Sequence, residues 1–231
     1  MRRLLTSFLL IAAGVLAPAT TYAQQQSFNL QLGGFVPHGE DARPIDDVLR
    51  NNLDFLVFDL SDFSTFNING EWEFPLNDKI SGSLGLGFNT SSEPSVYLNY
   101  VEDNHTEIEQ ELKLRIVPFT AAIRLIPFGQ HNPVQPYVGA GVGVFMWRYA
   151  ESGEFVDFSN GDVFRDSFVG TGANAGPVIF GGINFVGDVF GAGFDIRYQS
   201  AEGDLPADQG FSGTKIDLGG WTYAANFKVR F

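Results

Sequence analysis

The residues of this chain that could do chemistry sit at every second position of short segments. Glu71 and Glu73 are two apart, and so are Glu109 and Glu111, Lys113 and Arg115, Asp195 and Arg197, and Lys228 and Arg230. Arg124 stands between Ile123 and Leu125. A spacing of two puts side chains on one face of a β-strand. Acids and bases held on such a face away from water must pair with one another. The chemistry on offer is mutual neutralisation inside a sheet structure. Its functional form would be a gate on a narrow ion path.

Other chemistries leave weaker marks. The chain has three histidines, His38, His105 and His131. His105 lies near Ser91, Ser92 and Glu107, a combination that an acyl-transferring enzyme acting on membrane lipid could use. Nothing marks a nucleophile setting around those serines. No phosphate loop, zinc spacing or nucleophile elbow occurs. No catalytic residue, metal site or cofactor is therefore assigned. Acidic residues concentrate between the segments. Residues 37–63, 90–107, 150–171 and 201–214 hold 19 acidic and 3 basic residues. Asp46, Asp47, Glu102 and Asp103 could bridge divalent cations to an anionic surface such as lipopolysaccharide, because hard cations favour carboxylate oxygens. Downstream of residue 23 the chain carries 12 basic and 27 acidic residues, which excludes nucleic acid as a partner.

The elements that must position these groups are strands. Alternation places eight: Phe28–Val36, Ser64–Phe74, Ile80–Asn89, a fourth from Ile108 to Leu125, Tyr137–Tyr149, Gly172–Phe185, Val189–Ser200 and Lys215–Phe231. In the second, Phe66, Ile68, Trp72 and Phe74 oppose Asn67, Asn69, Glu71 and Glu73. In the fourth, Leu112, Leu114 and Ile116 oppose Glu109, Glu111, Lys113 and Arg115. The parity of polar residues changes after Pro118, which predicts a bulge there. A second bulge is expected at Gly219–Gly220. Short turns alternate with long loops. In the first loop Ile45, Val48, Leu49, Leu53, Leu56 and Val57 fall near helical spacing, so a short amphipathic helix capping the barrel mouth is expected.

Two further features choose the solvent. Arg2 and Arg3, the apolar run Leu4–Leu16 and the small residues around Ala23 read as a cleaved signal peptide over residues 1–23, leaving 24–231 as one domain. The last strand alternates to its end, with Phe227, Val229 and Phe231 on the apolar face. In bilayer hydrocarbon every backbone polar group must be satisfied internally, which only helices and closed barrels achieve. Tilted strands of about 9–11 residues suffice to span. The expected fold is all-β: an eight-stranded antiparallel up-and-down transmembrane barrel, apolar side chains to lipid and polar ones inside. Trp72, Phe74, Trp147, Tyr149, Tyr198 and Trp221 would supply interfacial aromatics. The eleven charged residues named at the outset would form one interior network. The competing arrangement is a soluble lipocalin-like ligand-binding barrel, with the faces reversed.

The stretches Arg115-Ile-Val-Pro-Phe-Thr, Pro136-Tyr-Val-Gly-Ala-Gly-Val-Gly-Val-Phe, Asp195-Ile-Arg-Tyr and Leu218-Gly-Gly-Trp resemble the small outer-membrane β-barrel superfamily that includes OmpW-like and OmpA/OmpX-type barrels. The resemblance implies a monomeric barrel in the outer membrane, in contact with outer-membrane lipids and lipopolysaccharide. It implies insertion by the barrel assembly machinery, with Phe227, Val229 and Phe231 as insertion signal. It does not fix a role, because small barrels host many. The readings it leaves are structural or surface-interaction work, narrow passage of small or hydrophobic solutes, and lipid-modifying enzymology.

Overall fold

The computed structural model describes residues 25–102 and 105–231. The expected signal peptide and Asp103 lie outside these. The strands are β1 (Ser27–Pro37), β2 (Thr65–Pro75), β3 (Ile80–Val101), β4 (Glu107–Leu125), β5 (Val134–Val156), β6 (Val163–Val186), β7 (Phe190–Gln199), β8 (Glu202–Asp204), β9 (Lys215–Asp217) and β10 (Gly220–Arg230). Eight of them close a barrel in the order β1-β10-β7-β6-β5-β4-β3-β2, and β8 pairs only with β9. First and last barrel strands zip antiparallel from Ser27 opposite Arg230 to Pro37 opposite Gly220. Within the barrel wall closure leaves no edge with unpaired backbone groups.

Within the lower barrel the alternation turns apolar side chains outward. Phe66 is 63% exposed and Val142 64%, with Leu86, Ile123 and Ile179 also facing out. Asn29, Gln31, Asn69, Glu71, Ser83 and Arg124 are buried inside. A water-soluble barrel would bury the first set and expose the second. The lipocalin-like arrangement is excluded on that ground.

Three expectations need correction. Residues 90–107 and 150–171 are mostly not loops. Strands β3 and β4 stay paired to Val96 opposite Glu109 and meet again, after a register shift, at Val101 opposite Glu107, and β5 and β6 stay paired up to Val156 opposite Val163. These hairpins project beyond the lipid band. About nine residues of β5 follow Trp147, on the order of 30 Å along the strand. The last expected strand is broken: Lys215–Asp217 belongs to the small β8–β9 hairpin, and the barrel strand begins at Gly220.

Nor does Pro118 make a bulge. The register of β4 on β5 runs unbroken from Leu125 opposite Val138 to Gln110 opposite Gly153. On the other side the ladder passes over Gly87 and Phe88, across from Pro118 and Val117, and resumes in the same register. Even-numbered residues of β4 point inward throughout. The medium around the strand changes instead. Below Pro118 the outer positions are Phe119, Ile123 and Leu125, and Thr120 and Arg124 are inside. Above it the outer positions are Glu109, Glu111, Lys113 and Arg115, and Ile108, Leu112, Leu114 and Ile116 are buried. Lipid outside requires an apolar exterior. Water outside restores the ordinary rule of apolar residues inside.

The first loop fills the upper lumen. It carries a short helix, α1 (Val48–Asn52), whose N-cap Asp47 accepts from the Arg50 amide at 3.0 Å. Val48 and Leu49 are wholly buried, and Leu56, Leu60 and Phe63 join the same apolar cluster with Leu112, Ile116, Phe145 and Tyr149. Ile45 stays exposed. The β8–β9 hairpin clamps the loop: Asp47 accepts from the Asp217 amide at 2.6 Å, and the Lys215 amide donates to Asp46 O at 3.2 Å.

Candidate functional site

The inner surface carries two layers of different chemistry. In the lower layer Glu71 and Glu73 project from β2. Arg124 of β4 bridges them, pairing with Glu71 and, through one guanidinium nitrogen, with Glu73 Oε2 at 2.8 Å. Arg197 of β7 reaches Glu71 Oε2 at 2.8 Å and lies 3.7 Å from Asp195. Lys228 of β10 reaches Glu73 Oε2 at 2.7 Å. Ser81 of β3 and Asn29 of β1 also donate to Glu73. Tyr137 of β5 donates to Asp195 at 2.8 Å. The Arg124 guanidinium stacks 4.2 Å from the Tyr137 ring, and Arg197 stacks 4.9 Å from Phe180 of β6. All eight barrel strands thus contribute to one cluster across the lumen. Its three carboxylates face three cations, so the layer is neutral.

Six of the eleven charged residues read as interior are in this cluster: Glu71, Glu73, Arg124, Asp195, Arg197 and Lys228. The other five are not. Glu109, Glu111, Lys113 and Arg115 are exposed on the outer face of the upper β4, for the change of medium just described. Arg230 sits at the turn end and donates to Gly187 O and Gln130 O. Trp147 and Tyr149, read as interfacial aromatics, are also relocated. Both are buried in the lumen, with Trp147 donating to Asn174 Oδ1 at 2.8 Å. Phe227 and Phe231 are exposed on the outer face near the same end as Arg230, and Val229 is half-buried there.

The upper layer is apolar, with a few buried polar groups. Arg43 pairs with Asp47 at 2.9 Å, both side chains wholly buried, and donates to His38 O at 3.0 Å. Burial pushes the Asp47 carboxyl above the usual range while the Arg43 charge pulls it back. Asp47 is therefore an internal strut and not a surface cation ligand. Asp46 accepts from the Thr214 hydroxyl, and Glu102 from Thr106. Among the described residues no group of three or more His, Cys, Asp or Glu is arranged to hold a metal ion. Further up, Glu151 accepts from Asn52 and from the Tyr149 hydroxyl, each at 2.7 Å.

Of the possible hydrolytic combination, His105 is exposed and its backbone amide donates to Glu102 O at 2.9 Å. His38 hydrogen-bonds Asp217 at 2.9 Å and His131 hydrogen-bonds Asp78 at 2.8 Å, and neither meets a serine. Ser91 and Ser92 donate to Glu93 and Glu111. The first loop carries the short helix expected there, α1, whereas the burial of Glu151 escaped sequence reasoning. Residues 150–171 read as a loop from sequence, but β5 continues in register through Glu151, whose side chain follows Trp147 and Tyr149 on the inward parity and is buried.

With this geometry in view, the chain is similar to the outer membrane protein OprG from Pseudomonas aeruginosa. The TM-score is 0.52 at 15% identity, over 90% of this chain and 97% of that one. It is also similar to Neisserial surface protein A, with a TM-score of 0.46 at 12% identity, over 90% of this chain and 96% of that one. For Ail, the attachment invasion locus protein of Yersinia pestis, the TM-score is 0.40 at 13% identity, over 90% and 99% of the two chains. No protein-family model and no curated protein matches the chain. The likeness to OprG shows the fold: the chain is a small eight-stranded β-barrel of the outer-membrane type.

Proposed function

We propose that this outer-membrane barrel is a closed one that works structurally and at the cell surface, and not as an open water-filled pore. One observation carries the reading: side chains from all eight strands meet in a neutral ion-pair cluster across the lumen, capped by the buried first loop. An eight-stranded barrel is just wide enough for its own side chains to fill. Ions crossing the cluster would have to break charge-assisted hydrogen bonds in a poorly hydrated space.

The working surface is then the projecting part of β3–β6. Just above the lipid band Lys113, Arg115 and Arg148 are exposed on adjacent strands, with Arg115 opposite Arg148. None forms a salt bridge among the described residues. Their position suits the anionic headgroups of an outer leaflet such as lipopolysaccharide. The acidic loop tips above them suit a solvated, anion-repelling exterior.

Planar-bilayer recording on the refolded full chain tests the closed state. A folded, inserted barrel should stay electrically silent. Reproducible single-channel steps from the unmodified protein would overturn the reading.

A further inference from the structure

At the extracellular end a cavity of about 390 Å³ opens between the first loop, the fourth loop and strands β3–β6. That size suits a small organic molecule. Two aromatic groups wall it. Phe55, Tyr97 and Phe158 pack together with ring centroids 5.9–6.4 Å apart. Phe155 packs against Phe164 at 5.8 Å and Phe168 at 4.6 Å. Phe158 and Phe164 are exposed, so the cavity is reachable from outside.

The polar groups lining it are short of donors. Glu151 is buried at 5% exposure, and no Lys, Arg or His forms a salt bridge with it among the described residues. Both of its hydrogen bonds, from Asn52 and Tyr149, fall on Oε1. The Asn52 amide is spent, since its oxygen accepts from Ser212. Gln110 donates through Nε2 to the Tyr97 hydroxyl and to Glu154 O, each at 3.0 Å. The carbonyl partner fixes the orientation of that amide and leaves Gln110 Oε1 buried without a partner. The cavity therefore offers a carboxylate and an orphaned amide oxygen beneath aromatic rings. Buried carboxylates are paired or costly. Buried acceptors call for hydrogen-bond donors. Aromatic faces attract cations.

We propose that this cavity binds a small primary ammonium bearing an aryl or alkyl body, with the ammonium on Glu151 and Gln110 and the body between the two aromatic groups. A neutral guest would leave the carboxylate uncompensated. An anion would be repelled. A quaternary ammonium would answer the charge but not the acceptors. The proposal goes beyond the closed-barrel reading and stands independently of whether the barrel conducts.

The test is calorimetric titration of the refolded full chain, in uncharged maltoside micelles, with phenethylammonium chloride. Benzyltrimethylammonium and 2-phenylethanol serve as comparison ligands. Saturable one-site binding is expected, about tenfold or more tighter for phenethylammonium than for either comparison ligand, since a charge-assisted hydrogen bond is worth at least that factor. Glu151→Gln should lose about the same factor while still migrating on a gel as a folded barrel. Should that variant not fold, Phe164→Ala removes an exposed wall residue and should weaken binding in a folded protein. Absence of saturable binding to the unmodified chain would overturn the proposal. So would equal affinity for either comparison ligand, or undiminished affinity in folded Glu151→Gln.

Discussion

Replacing Arg124 by Gln should destabilise the barrel far more than the loss of a surface ion pair. Arg124 is 1% exposed, bridges Glu71 and Glu73, and lies over the Tyr137 ring. Its removal leaves Glu71, Glu73 and Asp195 facing only Arg197 and Lys228. One negative charge is then buried without compensation, at a cost of about 3–5 kcal/mol. The double variant E71Q/R124Q is the informative control. It deletes one charge of each sign and keeps two pairs, Lys228 with Glu73 at 2.7 Å and Arg197 with Asp195 at 3.7 Å. Its loss should be smaller than the sum of the single losses by about 1 kcal/mol or more, as contacting residues in one network behave. Urea unfolding in micelles, followed by tryptophan fluorescence and read at constant denaturant slope, measures both. A single-variant loss of about 0.5 kcal/mol or less would refute the reasoning, since that is the worth of an exposed pair. So would strict additivity in the double variant.

Two further outcomes are expected. Leu112→Ala should cost about 2–5 kcal/mol, because Leu112 is wholly buried in the upper lumen, whereas Glu111→Ala next to it should be nearly neutral; denaturation of the pair checks this, and the opposite order would put the charges of the upper β4 back inside. At the turn end, the His131 hydrogen bond holds the Asp78 carboxyl below the usual carboxylate range. A depressed folded-state value means stability that is present above the ordinary carboxylate pKa and lost as pH falls through the lowered one. His131→Ala should therefore move the Asp78 titration upward, as followed by carboxyl-carbon NMR, and an unmoved midpoint would show that the bond is not formed in solution.

Much of the architecture follows from alternation alone. Phe66, Ile68, Trp72 and Phe74 opposite Asn67, Asn69, Glu71 and Glu73 define a strand and its two faces wherever that strand sits. The same holds for Phe194 and Ile196 against Asp195 and Arg197, and for Phe227 against Lys228. These segments lie in the lipid band, where one rule governs both sides. The candidate interior charges divide along the same line. Glu71, Glu73, Arg124, Asp195, Arg197 and Lys228 come from strand stretches inside the band, and their burial was readable.

Where reasoning from the chain fails, it fails at the level of Pro118. Period two separates a strand's faces but carries no label for which face meets which medium. Leu112, Leu114 and Ile116 alternate with Glu111, Lys113 and Arg115 as cleanly as any lipid-facing set, yet they point inward. The residues themselves do not say that β4 has left the hydrocarbon. That is decided by how far β3–β6 climb above their neighbours, by the first loop folding down to meet Leu112 and Ile116, and by water wetting the outer face. The cavity around Glu151 is likewise a product of assembly. Its aromatic walls come from residues 55 to 168, and only barrel closure brings them to one acid. Local patterning specifies strands and their faces; the position of the membrane boundary and the contents of the lumen are properties of the closed cylinder, because burial is set by what lies across it.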